Sequence, residues 1–153
     1  MGKILLTIVC TILFSSTIVQ LTYAALGGNR DSISDDQRSL HARSHKRTSK
    51  TNYSVEEITT DATTVREYVT SSGIIFALTW NGHTHPDLQP LLGTYSTEYA
   101  ESHNKMAKNN GKRRQKLATQ NIIVEKWGHM RNLKGRAYVP NLLPSGVTIE
   151  DLQ

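Results

Sequence analysis

The chain has almost no sulfur chemistry to offer. Its single cysteine, Cys10, lies in an N-terminal apolar run that is expected to be removed. The chain beyond residue 24 therefore holds no disulfide, thiolate metal site, cysteine nucleophile or c-type haem attachment. An exported domain without disulfides must stand on its hydrophobic core. Acidic residues are the minority, 13 against 18 basic ones, so the formal net charge is +5 at pH 7. Enzyme signatures are missing as well: there is no Gly-x-Ser-x-Gly elbow, no His-Glu-x-x-His and no phosphate-binding glycine loop. Scattered catalytic groups stay compatible with that absence, because a triad is recognised by geometry and not by spacing.

What is present begins at the N-terminus. Lys3 and the terminal amine precede an apolar run over residues 4–14, and Thr22-Tyr23-Ala24 places small residues before a cut. This is the pattern of a secretory signal peptide over residues 1–24. A membrane-spanning helix would need about 20 mostly apolar residues. Ser15, Ser16, Thr17 and Gln20 interrupt the run, so cleavage is expected and no transmembrane segment should remain after it. Cys10 sits inside the run with Val9 before it, which does not fit a lipidated cysteine. The expected location is the periplasm or the exterior. A mildly basic protein there would meet an envelope component or an anionic surface, and nucleic acid is not an expected partner.

The pattern divides the chain into four stretches. Residues 1–24 are the signal peptide. Residues 25–52 form a flexible N-terminal segment, in which a Ser34/Gln37 capping box starts a short, weak helix over residues 35–43. The polar, basic residues 41–52 serve as a linker. Residues 53–139 form the folded body, and residues 140–153 an extended C-terminal tail. Within the body, residues 53–59 and 64–70 read as strands, with Val65, Glu67 and Val69 on one face. Residues 74–80 (IIFALTW) are the most apolar stretch, with Ile74, Phe76, Leu78 and Trp80 expected on a shared face of a central strand. An amphipathic helix comes next, with Asp87 as N-cap and Pro90 in its first turn. Two more strands are expected over residues 121–128 and 133–139. The expected class is α+β: one domain, with an antiparallel sheet of about five strands, one main helix packed on it and a weak N-terminal helix.

Several of these stretches resemble one family. They are Ala25-Leu26-Gly27-Gly28, Val65-Arg66-Glu67-Tyr68-Val69, Gly73 through Phe76 to Trp80-Asn81-Gly82, and Pro86-Asp87-Leu88 with Leu91-Leu92-Gly93 and Tyr95. In their order they resemble the small exported bacterial proteins catalogued as domain of unknown function twenty-eight forty-four. The likeness runs from residue 25 to about residue 99. It implies export and a single domain, and no reaction. The His83-Thr84-His85 spacer and the basic residues 105–116 are not matched to the family pattern.

Four features carry candidate chemistry. His83 and His85 stand two apart, so in an extended segment both imidazoles could reach one metal ion. The spacing selects no third ligand, and a polar loop with two histidines explains it more simply. Trp80, Asn81 and Asp87 at a strand–turn–helix junction could form a ligand-binding rim. The plainer reading makes Trp80 core, Gly82 a turn and Asp87 a cap, and it is favoured. Lys112, Arg113, Arg114 and Lys116 could hold an anionic surface, or form a solvated loop. Glu67 lies between two valines; if buried, it needs a cationic partner or a raised pKa. No cofactor is expected. The function expected first is a non-catalytic envelope or extracellular binding or accessory module. The alternatives are a small metal-binding protein using His83 and His85, and an enzyme whose site only the fold assembles.

Overall fold

The structure is a computed structural model, and it describes residues 26–106 and 114–152. The expected signal peptide, Lys112 and Arg113 lie outside the described residues. Seven strands among the described residues build one open antiparallel sheet. They are β1 (Ser44–Ser49), β2 (Tyr53–Thr59), β3 (Thr63–Thr70), β4 (Ile75–Gly82), β5 (Arg114–Ala118), β6 (Ile123–His129) and β7 (Asn132–Tyr138), in the spatial order β1-β2-β3-β4-β7-β6-β5. The class is α+β, as expected, but the sheet has seven strands where about five were expected.

The two extra strands are the two edges. β1 replaces the expected linker. All six of its residues are exposed, and it is held by its pairing with β2, from Ser44 opposite Thr59 to Ser49 opposite Ser54. β5 (RQKLA) buries only Leu117. An edge strand needs no alternation of apolar residues, and charge along it discourages pairing with other chains. Hydrophobic periodicity therefore does not register either one.

The helices are α1 (Ile33–Ser39), α2 (Leu88–Leu92) and α3 (Ser96–Lys105). α2 starts where expected: the Asp87 carboxylate accepts a hydrogen bond from the Gln89 N–H at 2.9 Å. The one main helix expected after Asp87 is divided at Gly93, whose φ of 48° ends α2, and a 3₁₀ turn leads into α3. The Ser34/Gln37 capping box does not form. α1 begins earlier, at Ile33, and Ser34 donates to the Asp31 carbonyl instead.

Two cores lie on opposite faces of the sheet. On the helix face Leu26, Ile33, Leu88, Leu91 and Leu92 meet Ile58, Val65, Val69, Leu78, Trp80, Val124 and Ala137. The segment expected to be flexible is docked here, with the Leu26 N–H donating to the Leu91 carbonyl and the Gly27 N–H to the Ile75 carbonyl. On the second face Tyr68, Phe76, Ala77 and Tyr138 are covered by Leu142, Leu143, Val147, Ile149 and Leu152. The expected extended tail instead makes two 3₁₀ turns, Pro140–Leu142 and Ile149–Asp151, and closes half of that face.

A β-bulge sorts the apolar strand β4 between the two cores. Val69 pairs with Ile75 while Tyr68 pairs with Ala77, so Phe76 is the extra residue. Ile75, Leu78 and Trp80 therefore join the helix-face core, and Phe76 joins the opposite one. The expectation that Phe76 shares a face with Leu78 and Trp80 fails because one inserted residue inverts the alternation upstream of it.

Candidate functional site

The half of the second face that the tail leaves open is polar and strongly cationic. Strand register fixes its layout. One cross-strand row runs Lys46, Glu57, Arg66, Thr79, Arg136, Glu125, Lys116 from β1 to β5. The next row, nearer the β6–β7 turn, ends in Asn81, Lys134, Trp127 and Arg114.

Glu125 is the centre of this surface. It is buried, and three cations converge on it: Arg136 Nε at 2.6 Å, Lys116 Nζ at 3.4 Å and Arg114 Nη2 at 4.0 Å. Burial pushes its carboxyl up, but Arg136 and Lys116 outweigh that and hold it below the ordinary glutamate value. One carboxylate balances one cation, so two positive charges are left over. Arg136 and Arg114 also lie over the Trp127 ring, at 5.7 and 6.0 Å from its centroid, within reach of a cation–π attraction. Arg136 is pinned further by donating from Nη1 to the Ile149 carbonyl at 3.0 Å. Arg114 and Lys116 keep 68% and 57% of their side-chain surface exposed. The arrangement can attract an anion, with guanidinium and ammonium donors of the kind that carboxylate or phosphate recognition uses.

A second cluster lies under α1, on the helix face. The register places Arg47, Glu56, Glu67 and Leu78 in one row. Glu56 is paired with His45 at 2.9 Å and Arg47 at 3.3 Å, and with Arg30 more loosely at 3.9 Å. Glu67 and Asp36 of α1 are each only 1% exposed, and their carboxyls are hydrogen-bonded to each other. Among the described residues Asp36 Oδ2 and Glu67 Oε2 find no N–H or O–H donor, a lack that one shared proton removes. Burial raises both groups. Glu67's hydrogen bond and charge raise Asp36 further, while Asp36's hydrogen bond offsets part of the rise at Glu67. Of the two outcomes foreseen for a buried Glu67, the raised pKa is the one found, and the partner is another acid. The pair is sealed, so it can stabilise or destabilise α1 but cannot touch a substrate in this conformation.

The residues singled out from sequence are dispersed. Trp80 is 2% exposed, and its Nε1 donates to His85 Nδ1 at 2.8 Å. Asn81 is exposed and on the opposite face, and Asp87 is spent on the α2 cap. Trp80, Asn81 and Asp87 thus do not form one rim. His83 is exposed. His85 is held below its ordinary pKa by burial and by Lys126 nearby, so it is neutral and acts as an acceptor for the indole. Among the described residues no three metal-binding side chains converge. Arg114 and Lys116 do belong to the cationic face. Arg66, Trp127, Lys134 and Arg136 were missed, because only the pairing of β3 and β4 with β7, and of β5 with β6, brings them together.

A family model described as "Protein of unknown function (DUF2844)" matches residues 22–152, so the chain belongs to that family. The match extends well past residue 99, and it includes the basic stretch and both edge strands. No curated protein and no solved structure matches.

Proposed function

We propose that this member of the family is an exported, non-catalytic binding or accessory module of the envelope or the extracellular space. Its contact surface is the open cationic half-face. The observation that carries this reading is Glu125: a buried carboxylate surrounded by three cations, two of them largely exposed, on a half-face that the C-terminal tail leaves uncovered. Glu56 also gathers several cations, but at Glu125 the excess charge lies on an uncovered face, which favours a negatively charged partner. The N-terminal pattern of Lys3, the apolar run and Thr22-Tyr23-Ala24 supports export. Metal binding through His83 and His85 is less favoured, because Trp80 already occupies His85 Nδ1.

The test is retention of the chain over residues 25–153 on envelope material from the producing cell, measured against salt. Binding that weakens steeply with salt, and that Arg114→Glu with Lys134→Glu removes without unfolding, supports the reading. Retention unaffected by both substitutions refutes this surface as the contact.

A further inference from the structure

We infer that the β6–β7 hairpin docks tip-first on an anionic lipid surface, with Met130 entering the acyl boundary and Arg131, Arg114 and Lys134 holding lipid headgroups. The inference rests on the binding-module reading and names the partner of the hairpin-tip end of that surface. Two independent observations lead to it. The first is Met130, which is 91% exposed. It stands at the turn between β6 and β7, beside Arg131, whose φ of 63° closes the turn. A methionine is soft, flexible and apolar, and full exposure at a hairpin tip gives it no packing role.

The second observation is the depth at which the other groups lie. Trp127 pairs with Lys134, and Arg114 pairs with Trp127. That row is three residues behind Met130 along the strand. At about 3.3 Å per residue it lies roughly 10 Å from the tip. Interfacial protein segments place their apolar groups about 5–10 Å into the headgroup and acyl boundary. With Met130 at that depth, the half-buried Trp127 sits at headgroup level, where tryptophan is favoured. Arg114 and Lys134 sit at the same level, where long basic side chains reach phosphates. The Lys116–Glu125–Arg136 row stays above the surface and contributes at long range. A soluble polyanion would satisfy the cations but leaves Met130 unexplained. Among the described residues no helix is long and apolar enough to cross a membrane; the inferred docking is at the membrane surface.

The experiment uses the chain over residues 25–153 with phosphatidylglycerol-containing vesicles, pure phosphatidylcholine vesicles and soluble poly-glutamate. Trp80 is already buried, so a blue shift on binding reports Trp127. The expected result is a salt-sensitive blue shift with the anionic vesicles alone, and quenching of Trp127 by brominated acyl chains. Met130→Asp should abolish the quenching. Arg114→Glu with Lys134→Glu should weaken partitioning at least about twenty-fivefold, taking each cation near the surface as about fivefold. Met130 is solvent-exposed, so its variant should keep the wild-type circular dichroism. Partitioning and quenching unchanged by Met130→Asp would overturn tip-first docking. Binding to poly-glutamate with none to vesicles would overturn the lipid surface while leaving the binding module standing. Binding to neither would overturn both.

Discussion

Replacing Glu67 by glutamine should flatten the dependence of stability on pH between about pH 5 and the alkaline range. The buried Asp36–Glu67 pair holds at least one proton when folded, because burial and mutual contact raise both groups. In the unfolded chain both titrate near 4 and are ionised above about pH 5. A raised folded pKa contributes stability that is fully present below the unfolded value and is lost as pH rises through the folded value. With one extra proton bound in the folded state, stability falls by about 1.4 kcal/mol per pH unit over that interval. From pH 5.5 to 7.5 the loss is about 2.7 kcal/mol, or roughly 8–14 °C in Tm for a domain of this size. In Glu67→Gln the amide donates to the Asp36 carboxylate and the rise that Glu67 causes there is lost; burial alone still raises Asp36, so the slope becomes shallower over this range. The difference between wild type and variant isolates the pair from Glu56, which faces Glu67, from Asp35 beside Asp36, and from Arg30, His45 and Arg47 around Glu56. Thermal melts of both proteins at half-unit steps make the comparison. Parallel Tm curves over that range would refute the shared proton.

Three more outcomes rest on close contacts. Gly135→Ala should destabilise by about 1–3 kcal/mol or more in urea unfolding, because a Cβ there would overlap the Trp80 indole and approach the Glu125 carbonyl. Asp87→Ala should cost about 1 kcal/mol by removing the α2 cap, read in the same titration. Glu125→Gln should remove stability that is present above the unfolded glutamate value and lost as pH falls through the depressed folded value. Acid melts should therefore differ between wild type and variant near neutrality and converge at low pH.

How much was legible depended on whether a residue's role is local. Strands β2 and β3 showed themselves through β-branched and aromatic content, and Asp87 through its place before Leu88-Gln89-Pro90. The sign of trouble at Glu67 was also visible, since an acid between Val65 and Val69 must be explained. Its partner was not: Asp36 lies on a helix 31 positions upstream, and no spacing rule joins them. Phe76 was misplaced because a bulge leaves no mark in an apolar run. The cationic face was half legible. Arg114 and Lys116 drew attention as part of a basic stretch, whereas Arg136 and Trp127 look like ordinary members of half-buried strands until β5 is paired beside β6.

Both unforeseen edge strands obey one physical rule. Neither β1 nor β5 has an apolar face with which to hold the sheet, and each is clamped by a buried carboxylate on the strand beside it. Glu56 on β2 takes His45 and Arg47 of β1, and Glu125 on β6 takes Lys116 and Arg114 of β5. Basic composition at these edges is thus first a way of attaching them, because a buried acid with no cation would cost far more than a surface pair returns. The two clamps differ in what lies over them. Glu56 faces the helix side, where Arg30 also joins it. Glu125 faces the open half of the other side, where Arg136 also joins it and the Trp127 ring lies beside two of its cations. Each clamp gathers three cationic partners, but only those of Glu125 stand on the half-face that the tail leaves uncovered, and that asymmetry points to the β5–β6–β7 end of the sheet as the working surface.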